Sequence, residues 1–319
     1  MQTGLEKAAR SAFSKPVRGG QSIEIIGVNV GGTSSTVVRG DESGTIAELR
    51  RFPTRGTRGQ DALYADIASA VQGIRTTATS AVGVAIGGPL DARRGVVLGA
   101  VHLPFKNFPL QDRLAADLGL PARVHHDAAA CALAEWRWGA AAGVDALAYL
   151  TCGTGFGVGL VFGGRAHYGS SGHSPEIGHV RYRDDGPDIF GKPGCFEGYG
   201  SANALALLAR TRDPEGLGRL QPAEISERAL AGDASAAQIL AENERAAGAA
   251  CALLADLLVV DVIVLGSLSR YLGPPWLDAV QRTFAREALA ANVRHCRLLA
   301  AMDGVQERSG LAAALGAGR

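Results

Sequence analysis

Short runs of continuous apolar residues alternate along this chain with segments whose apolar residues recur every three or four positions. The first run, IEIIGVNV from Ile23, predicts a strand. TVVRG and TIAELRRF predict two more, with the glycine-rich GGTSS and then DESG turning the chain between them. Leu63, Ile67, Val71 and Ile74 share one helix face and predict a helix over 61–73. AVGVAIGG is the next strand and ends in a second glycine pair. A helix over 110–118 follows, then ARVHHD as a strand running into an alanine-rich helix that starts near Asp127. The second half repeats this order. ALAYLTCGTGFGVGLVFGG reads as strand, glycine turn, strand, about 125 residues after IIGVNVGGTSSTVV. Helices are predicted over 202–210, 234–258, 276–288 and 309–315, with VDVIVLGS as a buried strand among them. Such alternation indicates an α/β protein built from two related βββαβ halves, divided near residue 127 with a cleft between them.

Composition narrows the partners. Apolar residues make up 47% of the 319 and charged residues 20%, enough for two cores. Thirty-two basic residues against 31 acidic ones give a net charge of +1. That balance argues against nucleic acid or an anionic membrane as the main partner. No window reaches 18 apolar residues without a charge, so no membrane span is expected. Residues 1–22 lack a continuous apolar core and read as a short flexible leader. The five cysteines are odd in number and widely spread, which suits a cytoplasmic protein with reduced thiols. Glycine, at 43 residues, is about twice its usual 7% and should concentrate in turns and ligand-approaching loops.

Three constellations could carry chemistry. The loops NVGGTSS (29–35) and CGTGFG (152–157) allow close backbone approach, with Thr33 and Thr154 beside exposed N–H groups; paired in matching halves, they are natural cradles for phosphate oxygens. Neither is a P-loop, since no Gly-Lys-Ser/Thr occurs, and a strand rather than a helix follows GTGFGVG, which excludes a dinucleotide fold. Asp127, between a strand end and a helix start, reads either as an N-cap or as a carboxylate aimed at a substrate hydroxyl. PEIGHV places Glu176 and His179 three apart, and GKPGCFE adds Cys195 and Glu197. Those groups suit a polyhydroxylated ligand held by hydrogen bonds, or, for His179 with Cys195, a metal site.

Taken together, VNVGGT, GVAIGGPLD, HHDAAACALAE, LTCGTGFGVGLVFGG, PEIGHV, GKPGCFE and IVLGS resemble the ROK family of repressors, open reading frames and kinases. The resemblance runs from about Ile25 to the C-terminus. It implies the actin-like ATPase (ribonuclease H-like) fold in two domains with a central cleft, spanning 23–126 and 127–308, with a C-terminal helix at 309–319 packed back on the first. It also implies transfer of phosphate from Mg-ATP to a sugar hydroxyl, usually the 6-position of a hexose or N-acetylhexosamine. Asp127 then falls on the catalytic base. Gly88, His126, Glu176, His179 and Glu197 fall on positions that hold the sugar. Gly31, Gly32 and Thr33 match the first phosphate loop, Gly153, Thr154 and Gly155 the second, and Gly266 and Ser267 the adenine-side motif. A homodimer through the C-terminal domain is implied as well, with helix 234–258 offering an apolar surface.

The departures from the family pattern matter as much. Asn29 replaces an Asp that helps hold Mg-ATP, so a water-mediated Mg²⁺ contact there should be weaker. His126 replaces an Asn, His102 stands where an Asn is common, and Gly87 replaces a Pro. The acceptor pocket should therefore differ in shape, admitting a hexose, an aminosugar or a C7-cyclitol. Asp188 and Phe190 stand where two zinc-binding cysteines would be. Only His179 and Cys195 remain of that set, and a structural zinc is not expected. Phe190 should fill the space by apolar packing, and Cys195 likewise. Only 22 residues precede the first strand, so no DNA-binding domain and no repressor activity are expected. The alternative to a kinase is a non-catalytic sugar-binding or regulatory protein of the same fold.

Overall fold

The computed structural model describes residues 22–54, 56–99 and 103–316. His102 and nearly all of the expected leader lie outside them. In the first half, strands β1 (Glu24–Val30), β2 (Ser34–Asp41), β3 (Ile46–Pro53) and β4 (Thr79–Ile86) precede a small sheet of β5 (Leu90–Asp91), β6 (Val96–Gly99) and β7 (Lys106–Phe108), then β8 (Ala122–His126). Helices α1 (Gln60–Gln72) and α2 (Leu110–Leu118) connect them. The main sheet has the order β3-β2-β1-β4-β8, antiparallel across β3, β2 and β1 and parallel from β1 to β8.

The second half reproduces that plan. Helix α3 (Asp127–Trp138) leads into β9 (Ala146–Leu150), β10 (Val158–Phe162) and β11 (Arg165–Ala166). A small hairpin, β12 (Asp188–Ile189) and β13 (Lys192–Pro193), precedes helices α4 (Glu197–Gly200), α5 (Ala202–Arg212), α6 (Pro222–Leu230) and α7 (Ala234–Leu258). The chain continues through β14 (Val262–Leu265), α8 (Leu268–Tyr271), α9 (Pro274–Glu287), α10 (Ala290–His295), β15 (Arg297–Ala300) and α11 (Val305–Leu315). The sheet order is β11-β10-β9-β14-β15, the same arrangement of three antiparallel strands followed by two parallel ones. This duplicated topology is that of the actin-like ATPase fold.

Each sheet carries a helix in direct backbone contact. On the first, a Cβ at Gly27 would lie 2.4 Å from the Leu311 nitrogen and one at Gly83 2.0 Å from that of Ala314, so α11 can settle there only because those strand residues are glycines. On the second, a Cβ at Gly159 would lie 2.1 Å from the Ala128 carbonyl, which lets α3 do the same. Separate cores form, one around Ile26, Val84, Leu63 and Leu114, the other around Leu150, Val158, Ile263 and Trp276.

Three expectations need correction. The last helix begins at Val305 rather than 309, because Gly304 takes a left-handed conformation that starts it a turn earlier. Helix α7 is core. Ile239, Ala246, Ala247, Ala250 and Ala255 are buried, and Gly248 lets α9 approach until a Cβ would meet Thr283 at 2.5 Å. It therefore lends no support to a dimer surface. Asp127 is not a helix cap: that position belongs to His126, whose side chain makes no cap bond, and Asp127 is the first helical residue.

Candidate active site

Strand β8 delivers His126 and Asp127 to the end of the first sheet as α3 begins. The Asp127 Oδ1 accepts the Ala128 N–H at 2.6 Å. The His126 Nδ1 lies 3.2 Å from the same oxygen. That contact is not aligned along the ring N–H, and the buried Nδ1 makes no hydrogen bond among the described residues. Both contacts fall on Oδ1, which leaves Oδ2 open on a carboxylate that is 47% exposed. His126 is buried, and its imidazole lies against Gly88, where a Cβ would come within 3.0 Å of its Cδ2. Gly88 thus provides the room that His126 occupies.

Behind this pair sits Tyr168. Burial and the nearby Arg123 push the His125 imidazole down to about 4, so its ring is neutral at ordinary pH. The Tyr168 hydroxyl can then donate to His125 Nδ1 at 2.7 Å while accepting the His126 N–H at 3.3 Å. One phenol fixes two consecutive strand residues and so orients the chain entering Asp127.

Glu176 precedes a single 3-10 turn, Ile177–His179, and His179 ends it. Desolvation by surrounding protein raises the Glu176 carboxyl above its ordinary range. His126 and His179 oppose that rise, and the like charges of Asp127 and Glu197 add to it. His126, His179, Asp127 and Glu197 are therefore the charged groups that act on Glu176, and the fold brings them to the same region of the molecule.

Glu197 opens α4 and reaches the second glycine loop, its Oε2 accepting the Phe156 N–H at 3.0 Å. At the loop's other end the Ala202 N–H donates to the Gly153 carbonyl at 2.8 Å. Asn243 secures this junction from α7. Its amide donates to the Tyr199 and Ser201 carbonyls at 2.9 Å each, and its Oδ1 accepts the Trp276 indole N–H at 3.0 Å. Tyr168, Asn243 and the Phe156 amide carry no pattern in the sequence that marks them. Their partners are brought close only by the fold.

The two glycine loops occupy equivalent places, between β1 and β2 and between β9 and β10. Gly32, Thr33 and Thr154 are exposed. Together with Gly155, their N–H groups donate to no acceptor among the described residues. A Cβ at Gly31 would meet the Ser34 carbonyl at 2.6 Å, and one at Gly155 would meet Glu197 Oε2 at 3.0 Å. These cradles of free amides fit a polyphosphate. Beside the second loop, Ser267 holds φ +27°, a backbone region that side-chain-bearing residues rarely adopt, and its Oγ lies 3.1 Å from where a Gly153 Cβ would be. Gly266 packs against the Tyr149 hydroxyl, 2.5 Å from a Cβ built on it.

The strand-end residue Asn29 donates through Nδ2 to the Gln306 carbonyl at 3.2 Å and to Ser309 Oγ at 3.1 Å. Only its neutral Oδ1 is left for a hydrated Mg²⁺. Among the described residues no three His, Cys, Asp or Glu side chains are grouped to hold a metal. Cys195 is buried at 1% exposure, while Phe190 is 57% exposed rather than packed inside as expected. Its ring is stacked on the His179 imidazole, with centroids 5.4 Å apart.

Residues 25–316 match the ROK family. The glucokinase of Streptomyces coelicolor is 32% identical over 288 residues, covering 84% of this chain and 89% of its own. A ROK family glucokinase from Streptomyces griseus, solved with glucose and AMPPNP, superimposes with a TM-score of 0.77 at 31% identity, covering 91% of this chain and 98% of that one. The xylose repressor of Caldicellulosiruptor bescii is 24% identical over 68% of this chain and 57% of its own.

Proposed function

The chain belongs to the ROK family and is an ATP-dependent carbohydrate kinase, and from that premise we propose that it phosphorylates the primary hydroxyl of a hexose or N-acetylhexosamine, with Asp127 as the base. The alternative acceptor is a C7-cyclitol, which presents a similar hydroxyl. What carries this reading is the asymmetry of Asp127: Oδ1 is held by the Ala128 N–H and faced by His126, while Oδ2 has no partner among the described residues on a half-exposed carboxylate.

In the proposed reaction the acceptor hydroxyl hydrogen-bonds to Asp127 Oδ2. Its oxygen bonds to the γ-phosphorus as the bond to the ADP oxygen breaks, and its proton passes to the carboxylate. The loose transition state of phosphoryl transfer does not require prior deprotonation. Glu176, His179 and Glu197 orient the remaining hydroxyls, and His126 with Gly88 shapes the adjoining wall. The free amides of Gly32, Thr33, Thr154 and Gly155 receive charge on the phosphates, with Gly266 and Ser267 on the nucleotide side. Mg²⁺, when bound with the nucleotide, screens phosphate charge, and Asn29 Oδ1 is the group this chain would turn toward its water shell. Glu197 touches both sides, since it also holds the Phe156 amide of the second loop.

Two lobes, 23–126 and 127–308, would close over the reactants and exclude water. Among the described residues no helix is long and apolar enough to cross a membrane. All five cysteines are free and buried, which supports a reducing, cytoplasmic setting. A homodimer rests on the family resemblance alone. One observation favours a second reading, a sugar-binding protein with little turnover: the amide of Asn29 is committed to the last helix and brings no charge to the metal.

The test is ADP release from Mg-ATP across hexoses, N-acetylhexosamines and C7-cyclitols. Release with one class is expected. No release with any, together with a sugar-induced rise in melting temperature, would favour the binding protein.

A further inference from the structure

The hairpin of β12 and β13 turns through Phe190 and Gly191, both at positive φ, +56° and +76°. That is the geometry of a tight two-residue turn in which Asn-Gly is the favoured pair, and a bulky aromatic residue is a poor choice for its first position. The ring is also 57% exposed, so it gains little from burial. An outlier that is both strained and exposed calls for a reason beyond folding. Its contacts supply one. The ring lies nearly parallel to the His179 imidazole, 14° between planes. From the next strand Lys192 Nζ donates to the His179 carbonyl. Arg181 reaches the Pro193 carbonyl at 2.8 Å, and the Phe196 N–H bonds to the Val180 carbonyl at 3.0 Å. The hairpin therefore grips the turn bearing His179 through its ring, its carbonyl and the strand that follows.

We infer that Phe190 is a positioning residue for His179, and that the hairpin 188–193 holds this acceptor-site imidazole by stacking, where the related pattern would use a metal. The role of His179 in binding the acceptor rests on the sugar-kinase reading above; the stack does not. The group at position 190 trades backbone comfort for ring orientation, so stability and binding should respond to its replacement with opposite signs.

The experiment uses Phe190→Asn, which suits the turn but removes the ring, and Phe190→Tyr, which keeps the stack. Phe190→Asn should melt about 2–3 °C higher, the scale of relieved turn strain in a chain this size. It should bind the acceptor sugar about fivefold more weakly by calorimetry, the scale of one aromatic pair. Phe190→Tyr should bind like wild type. In wild type the His179 Cε1 proton should be shifted upfield by the ring, and that shift should vanish in Phe190→Asn. Zinc analysis should find well under one equivalent per chain, with melting and acceptor affinity unchanged by chelator. Unaltered acceptor affinity in Phe190→Asn, or a bound zinc whose removal lowers that affinity, would overturn the inference. A wild type that shows the ring shift but binds no sugar, aminosugar or cyclitol would overturn the sugar-site reading instead.

Discussion

At the end of β1 a single side-chain amide ties the first phosphate loop to the last helix. Ser309 Oγ donates to the Gln306 carbonyl at 2.7 Å, and Asn29 Nδ2 donates to both, closing a three-membered ring of hydrogen bonds. An Asp at position 29 would set a carboxylate oxygen against the Gln306 carbonyl with no proton between them. Asn29→Asp should therefore lower the melting temperature by about 2–4 °C, on the scale of about 1 kcal/mol for one lost hydrogen bond. The same change should lower the Mg²⁺ concentration needed for half-maximal activity, because charge returns beside the metal. An unchanged melt would show that the clamp holds nothing. The sequence makes the missing charge at position 29 visible. It cannot show what the amide does instead, since its partners lie 277 and 280 residues away.

Among the elements, α7 carries a titration the site does not use. Burial pushes the Glu244 carboxyl up to about 7, with Arg282 and Arg245 partly opposing. The folded chain keeps that proton up to about pH 7, whereas the unfolded chain releases it near 4.5. This group's contribution to stability is therefore complete below about 4.5 and is lost as pH rises through about 7. Between pH 5 and 8 the melting temperature should fall more steeply in wild type than in Glu244→Gln; parallel curves would contradict the assignment. Helix α7 itself was fully legible, its 25 residues carrying a sustained apolar face, and α2 was too. Strands β5, β6 and β7 were not, because two to four residues are too few to show alternation. The hairpin at 188–193 was hidden for the same reason and by an aromatic residue at a turn position. Helix α6 had a readable signal, Pro222 at its first turn and Glu224 closing a capping box with Gln221. That signal lies in a stretch too polar for periodicity to draw attention to it.

Across the whole molecule, the repeated strand, glycine turn, strand pattern anticipated two sheets of one topology, because burying a strand on both faces leaves a continuous apolar run in the sequence. The close seating of α3 and α11 on those sheets was not legible, since it depends on glycines of strands and helices meeting far apart in the chain. The candidate site shows the same division. Asp127, His126, Glu176, His179 and Glu197 were readable as residue types at suggestive spacings. Their gathering around one carboxylate, and the hold of Glu197 on the second phosphate loop, emerge only from the fold. In the proposed reaction Asp127 Oδ2 is the atom that takes the acceptor's proton. Replacing Asp127 with Asn and measuring turnover beside acceptor binding tests that claim most directly. In Asp127→Asn kcat should fall by about 10²-fold or more, the range of a lost general base, while acceptor Kd stays within about threefold. A variant that keeps more than about a tenth of wild-type turnover would contradict it.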